Sequence, residues 1–405
     1  MQKAIHASIS ATSFAMACED LKQLAEVSIS DCRLRRLVER IGSERMAQVQ
    51  QQSQAYQEMP IPQRKECPLA LAPVVACIEC DGGRMQIRNE GWGAQGGKLA
   101  EPAQASYWRE TKVAALLKMT SQSFDKDPCP TVPLTFVDAA RMKRLAREIK
   151  GYCGSKPEAE QTTNDLIDLE TLMVSTDQLH AATRPKPLLR SVLASTRSIH
   201  EFGKLVVAAA HGRGFHAAKK RAFVCDGMAC NWTIHAKYFS SYTAIVDFVH
   251  ALCYVYHAAL AGRDAREAWR DYQQWAQWLW SGQTEPLISA ISERQQVIGQ
   301  PQPNEPETSP RQLVASALTY LRNQKSRMKY DEYRRQGLPI TSAYIESTIK
   351  QINRRVKGSE KFWSKNADAV LQLRADQISE TRPMNKFWQN RSQNLPTCTH
   401  YKMSA

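Results

Sequence analysis

The amino-acid sequence predicts a mixed α/β fold in which two buried strands each end on an aspartate. One apolar run, residues 73–81, ends at Asp81, and a second, residues 221–226, ends at Asp226. Segments with helical periodicity separate and follow these runs, which predicts helices packed around a sheet. Open α/β sheets bind ligands at the carboxyl ends of their strands. The sequence therefore predicts that the two carboxylates lie side by side at a ligand site.

The glycine that follows each aspartate allows a simpler explanation, since Asp-Gly pairs begin many turns. A single pair would be explained as a turn. Two pairs, each at the end of a strand, are better explained by a bound divalent cation, because like charges brought close together are costly without one.

Length, charge and cysteine usage limit the possible functions. The 405 residues suffice for two or three domains, and 54 Lys and Arg against 40 Asp and Glu give a net charge of +14. This excess predicts a polyanionic partner, either nucleic acid or an anionic membrane surface. The most apolar stretch, residues 244–260, is interrupted by charged and histidine residues and is too short to span a membrane. Eleven cysteines without paired spacing are typical of reduced thiols in a cytoplasm, and Cys77 and Cys80 are expected in the core.

Residues 1–49 are predicted to form a helical region that contacts DNA. Apolar residues at helical spacing indicate two helices around a break at residues 27–31. The second helix is rich in arginine and includes Arg33 and Arg36, so the pair is similar to a helix-turn-helix whose second helix enters a major groove. An amphipathic helix pair packed on its neighbour fits the same spacing. Residues 50–70, rich in Gln and Pro, predict a linker.

The next segments predict the first half of the sheet. After the strand that ends at Asp81, alternation over residues 84–88 predicts a second strand, and residues 108–117 predict a third. Residues 120–187 are polar and irregular and predict an insertion with one helix at residues 137–149.

The remaining chain is predicted to be mostly helical. Residues 188–210 are periodic and predict a helix that leads into the strand ending at Asp226. Residues 244–248 predict a short strand that runs into a helix, and the Trp-rich residues 262–335 predict a helical insertion. Residues 342–357 predict a helix that carries Glu346.

Three ordered blocks of this sequence resemble a known family. The first is Asp81–Arg88 with Trp108–Lys112, the second runs from Phe223–Gly227 through Ile245–His250, and the third is Leu338–Ser347 with Arg354–Gly358 and Trp363–Ser364. The blocks resemble those of bacterial insertion-sequence transposases of the DDE class, in particular the ISKra type, over about residues 10 to 380. The resemblance implies a ribonuclease-H-like catalytic core formed by residues 71–261 and 336–380. Residues 262–335 would then be a helical insertion, and residues 381–405 a C-terminal tail.

The resemblance also implies a catalytic and metal-binding triad of Asp81, Asp226 and Glu346. More than a hundred residues separate each of these from the next, so only a fold could gather them. Asp247 and His250 correspond to an accessory Asp-x-x-His motif of related, mutator-like transposases. Three carboxylates without thiolate or imidazole suit Mg²⁺, with Mn²⁺ as a substitute. Two such ions, about 3.5–4 Å apart, would support DNA strand cleavage and strand transfer as in-line displacements at phosphorus.

Basic residues beside Glu346 are expected to hold DNA phosphates. Lys350, Arg354 and Lys357 share the side of the helix that carries Glu346, and Arg355 stands next to them. A solvated Glu-Lys face would show the same spacing. The partners implied are double-stranded DNA, as element terminal repeats and as target, and further copies of the chain in a synaptic complex. The expected location is the bacterial cytoplasm, associated with the nucleoid.

Two departures from the family pattern bear on activity. Family members usually carry a cysteine-rich, zinc-ribbon-like segment ahead of the N-terminal helices, and this sequence begins after it, which predicts a shortened copy. Ala343 also stands where the family commonly has Gly. Two alternative functions therefore stay open. One is a catalytically inactive DNA-binding remnant, and the other is a ribonuclease-H-like nuclease without strand transfer.

Overall fold

The computed structural model describes residues 1–66, 72–88, 108–150, 173–174, 177–357, 362–363 and 366–394. Across these ranges helices pack around a mixed sheet, which confirms the predicted mixed α/β class. Within the same ranges, no helix combines the length and the apolarity that crossing a membrane requires. Residues 67–70 of the predicted linker, most of the predicted insertion after residue 150 and residues 395–405 of the predicted tail lie outside the described residues.

The strands and helices of the described part of the chain have the following bounds. The strands are β1 (Val75–Arg88), β2 (Trp108–Met119), β3 (Pro187–Ser195), β4 (Lys220–Cys225), β5 (Thr243–Val246) and β6 (Phe362–Trp363). The helices of the first half are α1 (Gln2–Ser10), α2 (Phe14–Ala25), α3 (Asp31–Glu58), α4 (Ile61–Lys65), α5 (Ala139–Lys150), α6 (Gln178–Thr183) and α7 (Ile199–His211). Those of the second half are α8 (Ala229–Tyr238), α9 (Phe248–Leu260), α10 (Ala265–Trp280), α11 (Thr284–Ile298), α12 (Pro310–Gln324), α13 (Tyr330–Gln336), α14 (Ala343–Val356), α15 (Ala367–Ile378) and α16 (Pro383–Asn394). Short 3₁₀ turns occupy Leu134–Phe136, Phe215–Ala217 and Lys325–Arg327.

The sheet has the strand order β3-β2-β1-β4-β5. Strand β2 runs antiparallel to both of its neighbours, whereas β1, β4 and β5 run parallel to one another, and β6 pairs with the distal end of β1. Cys80 pairs with Cys225 in the β1–β4 register. Because Asp81 and Asp226 are the next residues along these two parallel strands, the register brings them side by side.

Helices cover both faces of the sheet. Alternate residues of β1, including Ile78 and Cys80, pack with α7 and α8 in one apolar core. The other set, including Cys77 and Met85, faces the layer that contains α9 and α14. Cys77 and Cys80 are both fully buried, as predicted. Asp81 follows the parity of Cys77 and therefore faces the α9 and α14 layer.

The N-terminal helices pack onto α15. Leu34, Val38 and Ile41 of α3 are fully buried in this contact region. A buried ion pair, in which Arg45 Nε lies 2.7 Å from Asp376 Oδ2, joins α3 to α15. The two helices around a break at residues 26–30 agree with the prediction for this region.

Three local predictions are corrected by the structure. Helix α3 continues to Glu58 and α4 follows it, so much of the segment predicted as a linker is helical; its Ser53 Oγ donates to the Lys204 carbonyl of α7. The apolar runs at residues 73–81 and 84–88 form one continuous strand, because β2 pairs with β1 along both runs. Residues 383–394 of the predicted tail form a helix.

The prediction of a helix over residues 188–210 is wrong for its first half. The segment forms β3 and then α7, with Ser198 as the N-cap of the helix in a reciprocal capping box with Glu201. By periodicity, a short apolar run fits either a strand or a helix. Here the run forms a strand because it pairs with β2.

Candidate active site

Three acidic side chains from three distant segments occupy neighbouring positions on one face of the sheet. Asp81 lies within β1, Asp226 directly follows β4, and Glu346 lies in the first turn of α14. All three are half-buried. The side chains of α14 pack on β1 around Gly83, where a Cβ atom would lie 2.9 Å from Thr111 Oγ1 and 3.8 Å from Ile349. A Cβ atom at Gly83 would thus crowd Thr111 of β2 but would meet Ile349 of α14 at an ordinary van der Waals distance, so Gly83 leaves room for the Thr111 side chain.

Two fully buried carboxylates fix the start of α14. Glu79 Oε2 accepts a hydrogen bond of 2.8 Å from the Ile345 amide. Asp247 Oδ2 accepts hydrogen bonds from both the amide and the hydroxyl of Ser342, the latter at 2.9 Å. The first amides of a helix lack partners within it and carry partial positive charge, so both carboxylates act as caps supplied by other segments. They hold Glu346, which lies within the same turn.

The three candidate catalytic carboxylates influence one another electrostatically. Burial, together with the negative charges of Glu346 and Asp226, raises the pKa of Asp81 well above its usual range. Burial also raises the pKa of Glu346, and the neighbouring charges of Asp247 and Asp226 add to this although His250 opposes it. Both pKa values are raised because several carboxylates lie close together in a site that is partly shielded from water. A bound cation would favour the ionised forms.

Asp226 is oriented by groups that follow it in the chain. Its Oδ1 accepts hydrogen bonds from the Met228 amide, at 3.0 Å, and from Asn231 Nδ2, at 3.2 Å. The same Asn231 nitrogen also donates to the Cys80 carbonyl at 3.2 Å. The buried Asn231 thereby joins β1 to the Asp226 carboxylate. The Tyr320 hydroxyl of α12 donates to the Asp226 carbonyl at 2.8 Å, so the helical insertion supports this turn.

Asp247 and His250 lie beside the triad. Asp247 is fully buried, and its Oδ1 accepts a 2.7 Å hydrogen bond from the His250 amide and lies 3.1 Å from His250 Nδ1. The other ring nitrogen, Nε2, lies 3.4 Å from Glu346 Oε1. Burial lowers the pKa of His250, but the hydrogen bond and charge of Asp247 and the charges of Glu346 and Asp226 outweigh it and raise this pKa to about 9. His250 therefore links Asp247 to Glu346 as an imidazolium with both nitrogens protonated.

The basic residues predicted beside Glu346 have different surroundings. Arg354 is exposed on α14, Lys357 is exposed directly after its end, and Lys350 Nζ lies 3.1 Å from Glu148 Oε2 of α5. Arg355 is only 1% exposed. Its Nε donates to the Ser8 carbonyl at 2.9 Å, and its guanidinium lies over the ring of Phe14. Successive residues point to different sides of a helix. Arg355 therefore holds the N-terminal helices, and the prediction that it contacts DNA is wrong.

Arg33 and Arg36 are exposed on α3, away from its buried stripe. They line an open cavity of about 650 Å³ with Arg40 and with the apolar side chains of Val27 and Leu37. The prediction that this helix reads DNA bases stays a prediction.

Sequence reasoning missed Glu79 and Asn231. Glu79 lies inside a predicted buried strand, where a charged residue is uncommon. That unusual position could have indicated a functional or structural role for Glu79. Asn231 had none, because a single asparagine near the start of a helix is ordinary.

The donor set fits a hard divalent cation, since it consists of carboxylate oxygens, and the raised pKa of Asp81 reflects negative charge that such an ion would offset. Among the described residues, no group of three or more His, Cys, Asp and Glu side chains is close enough to hold a metal ion. Direct metal bridging by the triad therefore stays a prediction. No protein-family model and no curated protein matches the chain.

Proposed function

We propose that the chain is a DDE-type transposase of a bacterial insertion sequence with a ribonuclease-H-like core. It would cut DNA strands at element ends and join the freed 3′-hydroxyl to target DNA. One observation carries the proposal. Asp81, Asp226 and Glu346, which come from three distant parts of the chain, lie close enough on one sheet face to raise the pKa values of Asp81 and Glu346.

The order of elements supports the proposed core. Strands β1 to β3, helix α7, strand β4 before Asp226, strand β5, a group of helices and helix α14 with Glu346 come in this order, with α5 and α6 between β2 and β3 and α8 between β4 and β5. This order is the one that the resemblance to the transposase family implies. The helices of residues 262–335 would be its helical insertion.

The proposed chemistry divides the work among the residues of the site. Asp81, Asp226 and Glu346 would hold two Mg²⁺ ions, which when bound help to activate the attacking oxygen and to stabilise the leaving oxygen. Asn231 keeps the Asp226 carboxylate oriented, and His250 does the same for Glu346. Water would be the nucleophile of strand cleavage, and the freed 3′-hydroxyl that of strand transfer.

The net charge supports DNA as the partner. A charge of +14 favours a polyanion, and Arg354 and Lys357 are exposed in and directly after the helix that carries Glu346. Phosphate contacts by such residues position DNA without reading its sequence.

The decisive experiment measures strand cleavage on a labelled duplex that carries the terminal sequence of the element. Wild type is compared with Asp226→Asn, in Mg²⁺, in Mn²⁺ and in EDTA. Asp125→Asn serves as the matched control, because Asp125 is exposed. We expect metal-dependent nicking and joining by wild type and by the control, and a loss on the order of a thousandfold or more for Asp226→Asn.

Other outcomes separate the alternatives. Nicking without joining would favour a nuclease, and DNA binding without any nicking would favour an inactive remnant. Equal nicking by Asp226→Asn and wild type would show that the triad is wrongly assigned.

A further inference from the structure

Helix α5 carries a concentration of positive charge outside the candidate active site. Five of its twelve residues are basic and one, Glu148, is acidic. The basic residues are Arg141, Lys143, Arg144, Arg147 and Lys150. Met142, Leu145 and Ala146 of the same helix are fully buried in the core, so the helix is amphipathic. Lys143 and Arg147 are exposed, and because they are four residues apart they lie on one side of α5.

An ion pair places this helix beside α14. Glu148 Oε2 accepts a hydrogen bond of 3.1 Å from Lys350 Nζ. Lys350 is one turn beyond Glu346 on the same side of α14. The end of α5 therefore borders the part of α14 that carries the candidate catalytic glutamate.

Both helices expose basic side chains. Lys143 and Arg147 are exposed on α5, Arg354 is exposed on α14, and Lys357 is exposed directly after the end of α14. We call these four residues the α5–α14 surface. Glu148 of α5 is paired with Lys350 of α14. An exposed ion pair of this kind contributes little to stability.

We propose that the α5–α14 surface binds the phosphate backbone of the DNA strand that enters the candidate active site. The inference rests on the proposed function and adds to it a second helix, from the segment between β2 and β3 that the sequence predicts as an insertion with one helix. Lysine and arginine contacts to phosphates supply affinity that is independent of sequence and falls with salt.

Equilibrium binding in EDTA tests this surface without catalysis. Fluorescence anisotropy is measured on two duplexes of unrelated sequence, between 50 and 200 mM salt, for wild type, Arg147→Gln and the double variant Lys143→Gln/Arg147→Gln. We expect Arg147→Gln to weaken binding to both duplexes alike and to reduce the slope of log Kobs against log salt by about 0.9, with about twice that reduction for the double variant.

Two further variants sharpen the test. Glu148→Gln removes the one acidic side chain of α5 and should tighten binding to both duplexes. Lys204→Gln removes the same unit of charge from an exposed position of α7, which covers the opposite face of the sheet, and should leave binding unchanged. Thermal unfolding of each variant should match wild type, since the substituted side chains are exposed.

The outcomes separate this surface from the proposed function. If Arg147→Gln binds DNA as Lys204→Gln does while Asp226→Asn still abolishes nicking, DNA binding by the α5–α14 surface is refuted. The proposed enzymatic function is then unaffected. A loss confined to one of the two duplexes would also refute phosphate binding by Arg147. If wild type binds neither duplex, the proposed function fails together with the surface.

Discussion

Asp81 and Asp247 lie in the same site but have opposite surroundings. Asp247 is fully buried and is bonded to two groups of His250 and two of Ser342. Burial alone would raise the pKa of Asp247, yet the hydrogen bonds and the charge of His250 lower it. Asp81 is half-buried and accepts a hydrogen bond from the Gly82 amide, while burial, Glu346 and Asp226 raise its pKa.

The difference fits a structural role for Asp247 and the ligand-binding role proposed for Asp81. Donors within the protein stabilise the negative charge of Asp247, so the fold depends on that charge. Asp81 is surrounded by the negative charges of Glu346 and Asp226, which the proposed cation would offset. The following substitutions test this distinction, beginning with the largest expected effect.

Replacing Asp81 with Asn should abolish activity and preserve the fold. Metal-dependent nicking should fall by on the order of a thousandfold, equivalent to about 4 kcal/mol of transition-state stabilisation. The free energy of unfolding in the absence of metal should stay the same or rise, because the substitution removes like-charge repulsion. Cleavage rates and urea denaturation of the same preparation measure both. A large fall in stability would make Asp81 a structural residue like Asp247.

Replacing Asp247 with Ala should destabilise the fold by about 3–5 kcal/mol, because it leaves the His250 ring and the Ser342 amide buried without their partner. Urea denaturation measures this, with Asp125→Ala as the exposed control. A change within about 0.5 kcal/mol of the control would contradict a structural role for Asp247.

The neighbouring arginines Arg354 and Arg355 extend the comparison to positive charge. Arg355→Gln should lower the free energy of unfolding by about 2–3 kcal/mol, because the buried guanidinium holds the carbonyls of Ser8 and Thr12. Arg354→Gln should leave stability within about 0.5 kcal/mol of wild type and weaken DNA binding. Urea denaturation and fluorescence anisotropy on both variants measure these effects. Equal losses of stability in the two variants would contradict the structural role of Arg355.

His180 is a buried titratable group that the fold keeps uncharged. It is 5% exposed, and burial, with the nearby charges of Arg334 and Arg184, lowers its pKa from 6.5 to about 4. The unfolded chain binds this proton more readily, so stability is lost as pH falls from 6.5 towards 4. His180 should account for about 1.4 kcal/mol of lost stability between pH 7.5 and pH 5.5. His180→Gln should flatten the denaturation-derived pH profile by that amount, and an unchanged profile would contradict the shift.

Local patterns predicted the elements that carry the candidate triad. Apolar runs before Asp81 and Asp226 indicated strands, and the spacing around Glu346 indicated a helix, because strand and helix formation depend on nearby residues. The same patterns failed at residues 188–210. A strand followed directly by a capped helix has no single period. Only pairing with β2 shows where the strand ends and the helix can begin.

The sequence by itself determined the mixed α/β class, the excess of positive charge and the strands and helix that carry or precede the three acidic residues. The tertiary structure alone decided that Asp247 and Glu79 cap α14, that Asn231 joins β1 to Asp226, and that Arg355 is buried beside an exposed Arg354. Whether a charge faces donors, like charges or water depends on segments that are far apart in the chain. Burial and partners, unlike periodicity, exist only once those segments have packed.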